Sequence, residues 1–205
     1  MLHGAHVVLE PLTHDHVDGL CAAAVANREL YRWSPVPQGP VAVREYVDAA
    51  LAWQRAGTAV PFAILAVGDR RIIGCTRFWN LERWAWPEGH TNHQKQPPDA
   101  CEIGYTWLTS SAVGTGANTE AKLLMLTHAF EGWAVLRVCF HADLRNTRSQ
   151  AALERIGARR EGVLRAHRLA VDLTPRDSVR FSIVAAEWPE TKAHLQARLQ
   201  RKAGG

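Results

Sequence analysis

Residues 101–122, CEIGYTWLTSSAVGTGANTEAK, read as a strand, a tight glycine-bearing turn and the opening of a long apolar helix. Residues 103–108 (IGYTWL) are rich in β-branched and aromatic side chains, which suit a pleated, half-buried strand. Gly114 and Gly116 flank Thr115, and two glycines this close let the chain turn sharply and leave backbone N–H groups uncovered. Asn118 stands where an N-cap is expected, and Ala121 to Trp133 is helix-forming. A helix N-terminus offers several N–H donors and a partial positive charge. Such a turn suits an anion, most naturally a phosphate.

The better-known nucleotide motifs do not fit. A Walker A loop needs Lys and Ser/Thr after its last glycine, where Ala117 and Asn118 stand. A dinucleotide fingerprint needs a third glycine at the position of Thr119. The turn resembles the pyrophosphate-binding turn of the GNAT superfamily of N-acetyltransferases. GTGANTEAK is most similar to the branch that includes the ribosomal-protein N-terminal acetyltransferases. A second patch, about thirty residues further on, carries the same resemblance: Asn146-Thr147-Arg148-Ser149, then Ile156-Gly157-Ala158 and Glu161-Gly162.

Composition agrees with one ordinary globular unit. The 205 residues are enough for a real core, and 47% of them are hydrophobic. The expectation is a single domain over residues 1–205, of mixed α/β class. No run approaches the roughly 18 apolar residues of a membrane span, and no signal peptide is read at the start. The four cysteines are scattered without CxxC spacing, which points to reduced thiols and a cytoplasmic protein. A net charge of +4 is mildly basic, which suits a polyanionic cofactor and falls short of a dedicated nucleic-acid binder.

Taken in order, residues 6–12 read as a strand, and Thr13-His14-Asp15 as the cap of a helix reaching about Asn27. Pro35, Pro37 and Pro40 break the chain before a helix from Val41 to Arg55. Residues 62–67 and 71–79 read as a hairpin about Asp69-Arg70. Leu81 to Asp99 is the irregular segment, either functional or mobile. The helix after the glycine turn leaves a narrow polar stripe at Glu120, Thr127 and Glu131. Strands follow at 134–143, 159–166 and 179–185, with Pro175 between the last two. One helix opens at Asn146 or Thr147 and stops at Gly157; another runs from Glu187 to about Arg201.

The resemblance implies a twisted, mostly antiparallel sheet of six to seven strands, flanked by helices. Two central strands, one ending at Leu108 and one starting near Val135, would splay apart to admit coenzyme A. It implies acetyl transfer from acetyl-CoA to a primary amine by direct attack, with no metal and no covalent enzyme intermediate. Backbone groups of Val113, Gly114, Thr115, Gly116, Ala117, Asn118 and Thr119 would hold the pyrophosphate. Thr106, Trp107 and Leu108 would pair with the pantetheine arm. The family often has Gln or Arg where Ser111 and Val113 stand; backbone donors do not depend on those side chains.

Asn146 would contact the cofactor, cap its helix, or both. Ser149 shares a helix face with Leu153 and Ile156 and resembles the hydroxyl that protonates the thiolate; a capping or core serine is the alternative. Glu102 opens the central strand and is the expected general base, against a surface strand glutamate; His141 and Asp143 are held in reserve. Tyr31 and Trp33, with Trp84 and Trp86 of the long loop, are expected on the acceptor side, the loop pair alternatively packing over the hairpin or against a second subunit. The His90/His93 pair falls short of a zinc set. Eight tryptophans and an aromatic loop suggest a homodimer. The rival from another class is an idle acyl-CoA-binding or regulatory module with the same fold.

Overall fold

The computed structural model describes residues 1–25 and 29–203. Eight strands form one sheet in the order β1-β2-β3-β4-β5-β6-β8-β7. They are β1 (Leu2–His3), β2 (Val7–Pro11), β3 (Ala59–Ala66), β4 (Ile72–Glu82), β5 (Ala100–Leu108), β6 (Arg137–Asp143), β7 (Arg159–Leu169) and β8 (Pro175–Val184). Every neighbouring pair is antiparallel except β5–β6. The strand beyond the expected seven is β1, whose two residues are too few to show alternation. No described helix is long and apolar enough to cross a membrane.

The helices cover both faces. On one face lie α1 (Val17–Ala24) and α2 (Gly39–Arg55), where Leu20, Val43, Val47 and Ala50 pack on Ala63, Leu65, Cys75 and Trp107. On the other, α3 (Ala117–Thr127), α4 (Thr147–Arg155) and α5 (Trp188–Ala203) close over Leu9, Phe62, Ile64, Phe78, Phe140 and Phe181. Residues 62–65 go alternately to the two cores, as the two-residue period of a strand requires.

Several boundaries differ from expectation. Pro40 does not break the chain but sits in the first turn of α2, where a missing N–H costs nothing. The expected end of the first helix near Asn27 lies outside the described residues, α1 being assigned to Ala24. Leu81 and Glu82 extend β4, so the irregular loop is 83–99. Pro175 opens β8 instead of separating two strands, and the first residue of a strand tolerates proline. After Thr127 the helix loosens into a π turn, His128–Gly132. There Glu131 accepts from Trp188 Nε1 at 2.8 Å and Lys192 Nζ at 2.7 Å, which ties the turn to α5.

Candidate active site

The two parallel central strands stay together only briefly. Ala100, Cys101 and Glu102 pair with Arg137, Val138 and Cys139, and the pairing ends there, although β5 runs on to Leu108 and β6 to Asp143. A bulge accounts for the parting. Between the pairs Cys75↔Trp107 and Arg77↔Gly104, β4 has one residue and β5 has two, Tyr105 and Thr106. Tyr105 takes a positive φ of 53°. A bulged strand bends, so the far half of β5 leaves β6 and exposes an unpaired strand edge.

The β5–α3–β6 crossover brings the N-terminus of α3 to the open end of this wedge. Gly114 has φ 80°, a left-handed conformation that glycine adopts without strain. The N-cap is Gly116, not Asn118, which stands in the first turn. The reason is Thr115: its Oγ1 accepts from Ala117 N–H at 3.1 Å and donates to the Ala112 carbonyl at 2.7 Å, so the helix starts two residues early. Two N–H groups of the expected anion cradle are thus bonded locally, that of Ala117 to Thr115 and that of Val113 to the Ser110 carbonyl at 3.2 Å. Val113 is exposed beside it, while Ala117 and Thr119 are buried.

Two charged residues of α3 face inward. Glu120 is not in a polar stripe: it is buried, and its carboxylate accepts from the N–H groups of Ala5, His6 and Val7 at 2.7–2.8 Å. Lys122 is also buried, donating to Thr106 Oγ1 at 2.7 Å, and Thr76 Oγ1 lies 2.7 Å from the same hydroxyl. Desolvation beside a neutral partner pushes the Lys122 pKa down to about 7. The folded value then lies below the unfolded one of about 10.4, so between them the unfolded chain binds more protons and stability climbs as pH rises. Lys122→Met should remove that climb. Melting curves across about pH 6 to pH 9 should show the variant the more stable at the acid end, by on the order of 2 kcal/mol, with the gap closing as pH rises.

Glu102, last residue of the paired segment, is 2% exposed and lies at the centre of a charged cluster. Arg168 of β7 grips it with two hydrogen bonds, Nη1 to Oε1 at 3.2 Å and Nη2 to Oε2 at 2.9 Å. His141 of β6 places Nδ1 3.0 Å from Oε2, ion-pair distance though off the line of a well-aligned hydrogen bond. Burial would raise the Glu102 pKa; His141 and Arg168 outweigh it and hold the carboxyl below its usual range. It is a stronger anchor than proton acceptor. The Nε2 of His141 is buried without a partner among the described residues. His167 lies tilted against it, ring centroids 4.7 Å apart, with its pKa lowered to about 4 by burial and then by the charge of Arg168. Asp143 is bound on both oxygens by Arg145 and held low, after burial, by those bonds.

The other expected site residues fall into two groups. Asn146 caps α4, accepting from Ser149 N–H at 3.0 Å. Ser149 is half-buried on the same side as Leu153 and Ile156. Trp33 lies under Arg145, 4.1 Å from guanidinium to ring, and so beside the C-terminal end of β6. Tyr31 is buried, its hydroxyl donating to the Leu108 carbonyl at 2.9 Å and its ring edge-on to Trp107. Trp84 and Trp86 sit at the opposite, closed end of the wedge. Asp99 accepts from Trp84 N–H at 2.8 Å and Trp86 Nε1 at 2.9 Å, and Trp84 lines a cleft of about 360 Å³ with Arg83, Lys95 and Gln96. His90 stacks on Trp86, and no group of three potential metal ligands occurs among the described residues. Arg77, Arg168, Arg176 and His167 belong to the site's surroundings but carry no motif in the sequence.

A profile of the Acetyltransferase (GNAT) domain matches residues 6–159. YdaF of Bacillus subtilis (strain 168), assigned by name to the ribosomal N-acetyltransferases, is 37% identical over 190 residues, covering 91% of this chain and 96% of that protein. An acetyltransferase structure from T. thermophilus is 37% identical, with a TM-score of 0.77 over 97% of this chain and 96% of that one. Mycobacterium smegmatis RimJ, solved with CoA-disulfide, is 26% identical, with a TM-score of 0.76 over 95% and 90% of the two chains. With its wedge, its glycine turn and these relatives, the chain belongs to the GNAT acetyltransferases and is an acetyl-transferring enzyme.

Proposed function

We propose that the chain transfers an acetyl group from acetyl-CoA to a primary amine, of a protein N-terminus or a small molecule, by direct attack, with His141 accepting the proton and Glu102 positioning it. The observation that carries this reading is the carboxylate–imidazole pair at the point where β5 and β6 part. Nδ1 of His141 faces the carboxylate, which leaves Nε2 for the ammonium proton. His167 is the weaker candidate, because burial and then the Arg168 guanidinium lower its pKa to about 4.

The residues at the wedge suit coenzyme A. The unpaired edge of β5 at Thr106, Trp107 and Leu108 offers backbone groups to an amide-bearing arm. The turn from Val113 to Thr119, with an open space above Gly114, offers N–H groups to phosphates. Asn146 and Ser149 stand across the wedge on α4. When bound, acetyl-CoA supplies an acyl thioester whose carbon–sulfur bond breaks as the nitrogen–carbon bond forms. His141 holds the amine's proton, and the Ser149 hydroxyl donates one to the departing thiolate.

Titrating the protein with acetyl-CoA, with NADH and ATP as controls, tests the first half. Micromolar binding of acetyl-CoA alone is expected, and its absence would remove the cofactor assignment. A screen of peptide and small-molecule amines tests the second half. Binding without turnover on every amine would leave an acyl-CoA-binding module instead.

A further inference from the structure

The β7–β8 register sets Arg168 directly opposite Arg176. Like charges on facing residues destabilise an antiparallel pair, and Glu102 compensates Arg168, so Arg176 is the one in need of an anion. The nearby carboxylates are already engaged. Glu102 is held by Arg168, Asp143 by Arg145, and Asp172 also by Arg145 at 2.6 Å. Arg176 is half-buried, and its hydrogen bond among the described residues is a neutral one, Nε to Ser178 Oγ at 3.0 Å. Burial and the charge of Arg168 depress its pKa, against the opposing pull of Asp143, Glu102 and Tyr105.

A third guanidinium, that of Arg77, lies against Tyr105. Arg77 is 1% exposed and stacked on Tyr105 at 4.2 Å, Tyr46 at 4.7 Å and Trp53 at 5.2 Å; its Nε and Nη2 have no partner among the described residues. The ground around the carboxylate–imidazole pair therefore carries more cation than its own carboxylates balance. We propose that Arg176, with Arg168 beside it, binds an oxyanion group, carboxylate or phosphate, that the amine acceptor carries close to its amine. A guanidinium fork suits either group, since both present two oxygens in a plane. This assignment of acceptor class rests on the amine-acetylation reading above.

The test compares matched acceptors in wild type and Arg176→Gln. One pair is 2-aminoethyl phosphate against ethanolamine; the other is a C-terminally amidated peptide with aspartate at its second position against the asparagine form. The wild type should favour the anionic member of at least one pair by about 10–100-fold in kcat/KM, the size of one charged hydrogen-bonded contact. That ratio should collapse in Arg176→Gln and persist in the control Arg55→Gln, an exposed end of α2. The favoured pair tells phosphate from peptide carboxylate.

Melting curves supply a readout that does not need turnover. Without phosphate, Arg176→Gln should melt about 2 °C above wild type, because it relieves repulsion; added inorganic phosphate should raise the wild type more than the variant. A variant that melts lower and responds equally to phosphate would make Arg176 structural and overturn the proposal. Turnover on neutral amines without anionic preference would overturn it while leaving the amine-acetylation reading intact. No turnover on any amine, with a phosphate response that depends on Arg176, would keep the anion site and sink the transfer reading.

Discussion

His141→Gln should lower kcat by about a thousandfold, and Glu102→Gln by about a hundredfold, with acetyl-CoA affinity nearly level in both. The order follows from the geometry. Glu102 has both oxygens committed to Arg168 and one of them 3.0 Å from His141 Nδ1, and its pKa is held low by these neighbours against burial. Such a carboxylate aligns an imidazole and stabilises the imidazolium without itself taking the proton. Glutamine keeps the shape and removes the charge. Steady-state rates on one amine acceptor decide it. A Glu102→Gln enzyme with the wild-type kcat would exclude the pair, and a His141→Gln enzyme at full rate would return the base to Glu102 or to water.

Glu120→Ala should lower the melting temperature by about 10 °C. Its buried carboxylate takes three backbone N–H groups, those of Ala5 and His6 in the turn between β1 and β2 and that of Val7 at the start of β2. Hydrogen bonds to a charged group contribute roughly 1.5–3 kcal/mol each and do not add fully, so about 4 kcal/mol is expected from the set. For a chain this size each kcal/mol moves the midpoint by about 2–4 °C. Gly4 shows how tight the seat is: a Cβ there would lie 2.4 Å from the Glu120 carboxyl carbon. Calorimetric melts of Glu120→Ala and Glu120→Gln check it. Glutamine, which keeps one acceptor oxygen, should fall between, and a shift under about 3 °C for alanine would show that the turn is held by other contacts.

Local signals in the sequence determined much of this protein. The β-branched and aromatic run before Thr109, the paired glycines and the apolar helix after them lie within one short segment, and strand–turn–helix follows from propensity and sterics there. Asn146 as a cap, with Ser149 turned toward Leu153 and Ile156, follows from helical spacing alone. Whether strands pair, and with which neighbour, is not local. A two-residue period says that Glu102 and His141 each alternate across a sheet; only the parallel β5–β6 pairing brings them together. Arg168 reaches Glu102 although β6 and β8 lie between β5 and the edge strand β7, a strand order and a contact that chain succession does not predict. Glu120 reads as part of a polar stripe and is buried, because the start of β2 meets it from a remote part of the chain, and Lys122 two residues on is buried against Thr106. Periodicity fixes which face a side chain takes, while the charges it meets there are set by long-range packing. The glycine turn was therefore legible in sequence, and the charged ground around the wedge was decided by tertiary structure.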